Sequence, residues 1–62
     1  SDCNIVIQIN GKKRSLIRLP IDSDENFVIE KAKLESNVKK YFIKNNIKKQ
    51  IYVKNRLVNF II

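Results

Sequence analysis

The chain has 62 residues, a single cysteine, no histidine and a formal net charge of +7. A domain of this length buries only about 60% of the surface its unfolded chain exposes, too little for a full core and a catalytic cleft together. The lone Cys3 excludes an internal disulfide, and without His a zinc-ligand set lacks its usual members. The composition therefore points to a non-catalytic binding module with a polyanionic partner. With neither a signal-peptide pattern nor a membrane-length apolar run, a cytoplasmic setting is expected.

Residues 4–9 alternate β-branched and other side chains in the pattern of a strand, with Ile5, Ile7 and Ile9 on one face. Asn10 and Gly11 tolerate positive φ and give the strongest hairpin signal in the chain. Residues 14–19 form the return strand, with Arg14, Leu16 and Arg18 on one face and Ser15, Ile17 and Leu19 on the other. Pro20, lacking an N–H, ends it. Residues 1–3, Cys3 included, are expected to fray.

Asp24 is the preferred cap of a helix over residues 25–34, because its carboxylate can accept a first-turn N–H and suits the positive helix end. Val28 and Ala32 fall on its core face, with Ile29 at the edge. Ser36 caps a second, short helix carrying Val38, Tyr41 and Phe42 on one side and Lys39, Lys40 and Lys44 outward. Asn45 and Asn46 close it in a left-handed conformation. Phe27 and Phe60 are read as core, and Tyr41 and Phe42 as core or core edge.

Residues 47–53 and 57–62 are two further strands, joined at a turn in which Asn55 takes positive φ. The last strand is apolar on both faces apart from Asn59, which suits an inner position. The fold class is thus α+β. One domain over residues 1–62 holds two β-hairpins in a four-stranded sheet, with one or two helices between them packed on one face, in the order ββααββ.

Charge distribution says more than its total, since abundant Ile, Lys and Asn also follow from coding DNA rich in A and T. Up to Glu35 six acids balance six bases; from Ser36 onward there is no acid and seven bases. Lys12, Lys13 and Arg14 gather at the first hairpin, where side chains can reach phosphates. Lys48, Lys49, Lys54 and Arg56 flank the second hairpin and extend the basic surface. No exposed aromatic series interleaves with the cations, so base-specific readout is not indicated. No nucleophile and base, metal-ligand cluster or phosphate loop is present, so catalytic, cofactor and metal residues are all read as none.

Taken in order, Ile7-Gln8-Ile9-Asn10-Gly11-Lys12-Lys13-Arg14, Leu19-Pro20-Ile21-Asp22, Val38-Lys39-Lys40-Tyr41, Ile47-Lys48-Lys49-Gln50-Ile51-Tyr52-Val53 and Leu57-Val58-Asn59 resemble the C-terminal domain of bacterial-type leucyl-tRNA synthetases. The pattern runs from about Ile5 to Ile62 without a gap. It departs locally, with Lys54-Asn55 in place of a Pro-Gly turn, Lys44-Asn45 at a helix exit that usually holds Gly, and Gln50 in place of an apolar residue.

The resemblance implies a tRNA-binding appendage of a class I ligase that uses ATP to join leucine to tRNA-Leu in protein biosynthesis. ATP would bind in the catalytic part of the parent enzyme, and no cofactor would bind here. The module would be monomeric, joined by a flexible linker to the rest of the synthetase, and would contact the tRNA corner where the D and T loops meet. Lys12, Lys13, Arg14, Lys48, Lys49, Lys54, Arg56 and Asn59 are the candidate tRNA-binding residues. Two alternatives stand beside this: a protein-interaction module docking on its own synthetase or an acidic partner, and a free-standing basic RNA-binding protein.

Overall fold

A computed structural model describes all residues, 1–62. Strands β1 (Asp2–Ile9) and β2 (Lys12–Pro20) form a hairpin, followed by helices α1 (Glu25–Lys33) and α2 (Ser36–Lys39), a 3₁₀ turn (Lys40–Phe42), and a second hairpin of β3 (Lys49–Val53) and β4 (Leu57–Ile61). This is the expected ββααββ order. The sheet order is β2-β1-β4-β3, so the first and last strands lie side by side at the centre, in parallel. That placement gives β4 a hydrogen-bonding neighbour on each edge, β1 and β3, as expected of an inner strand.

Alternation decides the two faces. Ile5, Ile7 and Ile9 of β1 and Val58 and Phe60 of β4 point to the helical side, where Val28, Ile29 and Ala32 of α1 and Val38 of α2 close the core. The ring of Phe42 meets Phe60 edge-on at 5.1 Å, the arrangement that ring quadrupoles favour. No helix is long and apolar enough to cross a membrane.

The turn at Asn10 (φ 52) and Gly11 (φ 83) has positive φ at both central residues, the geometry that matches strand twist in a two-residue hairpin loop. No atom lies within 4 Å of where a Gly11 Cβ would sit, so glycine is required there for its backbone and not for space. Asn55 has φ 63, as expected.

Asp24 caps α1 as expected, accepting a hydrogen bond from Asn26 N–H at 3.1 Å. Other expectations are corrected. Strand β1 starts at Asp2, not Asn4: Asp2 pairs with Pro20 and Cys3 with Leu19, and Ile21 N–H donates to Ser1 C=O. Residues 2 and 3 are therefore sheet rather than a frayed end.

The cap of α2 is Glu35, not Ser36, and it caps without its side chain. The Glu35 carboxylate instead accepts from Ser15 Oγ at 2.7 Å, fastening the helix start to β2. Asn45 and Asn46 are not left-handed. Asn45 donates its side-chain amide to Tyr41 C=O at 3.0 Å, satisfying a helix-end carbonyl without that conformation.

Phe27 is not core; it stands 44% exposed, with Lys31 one turn on placed over its ring. The stripe of Val28, Ile29 and Ala32 had already filled the inward side of α1. Arg14 also leaves the alternation expected of β2. Register shifts so that Ile7 opposes Ser15 and Gln8 opposes Lys13, leaving Arg14 as the extra residue of a β-bulge.

Candidate nucleic-acid interface

Because β1 and β4 are parallel, the Asn10-Gly11 turn, the end of β4 and the start of β3 share one end of the sheet. Lys12 and Lys13 stand on the β2 side of that end, and Lys48 and Lys49 on the β3 side. Three strand spacings separate the two pairs, roughly 14 Å. Lys33, from the last turn of α1, joins Lys48 and Lys49 around a shallow hollow of about 340 Å³ that Ile47 and Gln50 complete.

The turn is held rigidly to β4. Asn10 N–H donates to Phe60 C=O, Gly11 N–H to Asn59 Oδ1 and Ile62 N–H to Asn10 Oδ1, each at 2.9 Å. Asn59 thus positions the cationic tip through its side-chain carbonyl.

The eight candidate residues do not form one cluster. Lys12, Lys13, Lys48, Lys49 and Asn59 share the end just described, with Arg14 close by in its bulge. Lys54 and Arg56 lie in the β3–β4 loop at the opposite end, beside the start of β1 and the end of β2. The length of β3 separates Lys49 from Lys54 by roughly 17 Å.

The two ends differ in electrostatics. Arg18 pairs with Asp2 at 3.4 Å and Lys54 with Asp22 at 3.8 Å, both at the far end, while Lys33 pairs with Glu30 at 3.8 Å. Those are all the ion pairs of the chain, so Lys12, Lys13, Arg14, Lys48 and Lys49 carry no carboxylate partner. Asp22 is also clasped by Asn55, which accepts from its N–H at 2.7 Å and donates to its Oδ1 at 2.9 Å, and Cys3 Sγ lies 3.7 Å from Asn55 Oδ1.

Sequence reasoning missed the neighbours of Arg14. Its guanidinium carbon lies 5.4 Å from the centre of the Tyr41 ring, and Lys40 Nζ lies 5.7 Å from the same centre. The Arg14 contact had no sequence signal, because a bulge cannot be read from alternation alone.

These features define a class: a small mixed-sheet α+β module with most of its paired charges at one end and a group of five unpaired cations at the other. No family model matches the chain. It is 43% identical over 58 residues to the leucine–tRNA ligase of Baumannia cicadellinicola subsp. Homalodisca coagulata, covering 94% of this chain and 7% of that protein. With the leucine–tRNA ligase of Chlorobium phaeobacteroides (strain BS1) it shares 34% identity over 62 residues, covering 100% of this chain and 8% of the relative.

Its fold recurs, with a TM-score of 0.90 and 23% identity, in the crystal structure of the ternary complex of Agrobacterium radiobacter K84 agnB2 LeuRS-tRNA-LeuAMS, over 97% of this chain and 8% of that one. The chain is therefore a homologue of one segment of the leucyl-tRNA synthetases. It spans 7 to 8% of the length of these relatives.

Proposed function

We propose that this chain is the C-terminal module of a cytoplasmic leucyl-tRNA synthetase, and that its cationic end rests on the corner of tRNA-Leu where the D and T loops meet. By holding the tRNA there, the module supports formation of leucyl-tRNA from ATP, leucine and tRNA-Leu at a catalytic centre elsewhere in the parent enzyme. The observation that carries this reading is the segregation of unpaired cations. Five of them gather around one end of the sheet, while at the other end Arg18 and Lys54 are drawn into pairs with Asp2 and Asp22 and Arg56 alone stays unpaired.

Phosphate contacts of this kind position a module without reading sequence. Neutralising about four phosphates gives a slope of roughly −3 in log affinity against log salt. A flexible linker to the rest of the enzyme raises the effective concentration of a weakly binding module. The test is the paired change Lys12→Glu and Lys13→Glu in the full-length enzyme. Affinity for tRNA-Leu and the salt slope are expected to fall, while leucine-dependent ATP–pyrophosphate exchange stays at the wild-type rate. Unchanged tRNA affinity would refute the reading.

A second reading is supported by the helix-free face of the sheet. Leu16, Ile51 and Val53 are exposed there beside half-buried Val6, Leu57 and Ile61, an apolar surface suited to docking on protein. Salt-insensitive binding to the synthetase body, with none to tRNA, would favour it.

A further inference from the structure

We propose that Arg14 and Lys40, held on the ring of Tyr41, form a phosphate clamp on the helical side of the cationic end, so that the RNA backbone bends around the β2 edge toward α2. This rests on the tRNA-binding reading above and adds to it two residues, Lys40 and Tyr41, that lie outside the candidate tRNA-binding set.

Three independent observations converge on the clamp. First, the bulge removes Arg14 from the alternation that would lay it beside Leu16 and Arg18 on the open face. Its guanidinium instead reaches Tyr41, which packs against the core from the helical layer. Bulges re-aim individual side chains in this way near functional sites.

Second, two cations share one aromatic ring and so lie no more than about 11 Å apart. The negative face of a ring attracts each of them, but they repel one another, and neither has a carboxylate partner. Glu35, the acid nearest in sequence to Lys40, is committed to Ser15 Oγ. An anion between or beside the two cations relieves the repulsion.

Third, Tyr41 is half-buried while Arg14 and Lys40 are exposed, so the ring is a fixed seat and the charged groups remain open to a ligand. A planar guanidinium held near a ring keeps its fork free to donate two parallel hydrogen bonds to a phosphate. Lys40 supplies the second charge as a point cation. Continuity with Lys12 and Lys13, which precede Arg14 in the same strand, makes one track of unpaired cations running from the turn tip onto the helical side.

The test measures tRNA-Leu affinity of the full-length enzyme as a function of salt for Lys40→Gln, with Lys39→Gln as the neighbouring control and Lys12→Glu/Lys13→Glu as the test of the underlying reading. Losing one phosphate contact lowers the steepness of the salt slope by about 0.7 to 0.9. The drop in affinity between 50 and 200 mM salt then becomes smaller by about threefold. Lys40→Gln is expected to show that change and Lys39→Gln is not.

Arg14→Lys keeps the charge but loses the planar fork, so it is expected to weaken binding several-fold while leaving the slope in place. If Lys40→Gln keeps the wild-type slope, or if Lys39→Gln lowers it equally, the clamp is refuted while the tRNA reading stands. If Lys12→Glu/Lys13→Glu also leaves binding unchanged, both fall together.

Discussion

Asn55 offers the sharpest test of how the far end of the sheet is held. Its backbone is left-handed at φ 63, and its side chain makes two hydrogen bonds to Asp22, itself at φ 60. Both bonds are exposed, so each contributes about 0.5 kcal/mol, at the low end for intramolecular hydrogen bonds. Asn55→Gly loses about 1 kcal/mol of bonding and adds roughly 0.5 to 1 kcal/mol of backbone entropy cost, while accepting the positive φ.

Asn55→Ala loses the same bonds and keeps a Cβ in the left-handed region without the short polar side chain that lets Asn occupy it, at a strain cost of about 1 to 2 kcal/mol relative to Gly. The expected losses are therefore about 1.5 to 2 kcal/mol for Gly and about 2 to 3 kcal/mol for Ala, against a total of roughly 3 to 9 kcal/mol for a chain of this size. Urea unfolding followed by circular dichroism reads the difference. At a slope near 1 kcal/mol per molar, the Gly midpoint should fall by about 1.5 to 2 M and the Ala midpoint further. An Ala variant as stable as the Gly variant would refute the strain argument. A Gly variant matching wild type would show that the clasp to Asp22 contributes nothing.

Two further outcomes follow from the geometry at the two ends. Asn59→Ala removes the acceptor for Gly11 N–H, so amide exchange at Gly11 should accelerate while stability falls by no more than about 1 kcal/mol, the bond being exposed; unaltered protection at Gly11 would exclude the turn-holding role. Lys49→Gln should lower the salt slope of tRNA binding by close to 1, whereas Lys54→Gln, whose charge is partly spent on Asp22, should lower it less. Equal effects in salt titrations of the full-length enzyme would contradict the polarity described here.

Much of this fold was legible because its signals are local. Asn10-Gly11 and Asn55 declare positive φ by residue type, Asp24 declares a cap, and the Ile5, Ile7 and Ile9 series declares an inward face. The departures come where a tertiary partner overrides a local preference. Ser36 is a good cap by type, yet Glu35 occupies the position because its carboxylate is drawn to Ser15 on β2. Phe27 is large and apolar, yet smaller neighbours fill the inward side of α1.

The same division runs through the candidate interface. Lys12, Lys13, Lys48 and Lys49 could be named from charge, but their grouping apart from Lys54 and Arg56 depends on a parallel pairing between strands nearly fifty residues apart. The contact between Arg14 and Tyr41 depends on a one-residue bulge that hydrophobic alternation does not encode.

The direction of β1 has a mechanical consequence. The chain enters the sheet at Asp2, among the paired charges, and the Asn10-Gly11 tip lies at the other end of the strand, about 23 Å away at the usual rise per residue. Any segment attached ahead of Ser1 would pull on the module from the end remote from Lys12, Lys13, Lys48 and Lys49. The strand then acts as a lever arm: a small swing at the attachment point sweeps the lysines through a wide arc, while whatever is attached stays clear of the surface they approach.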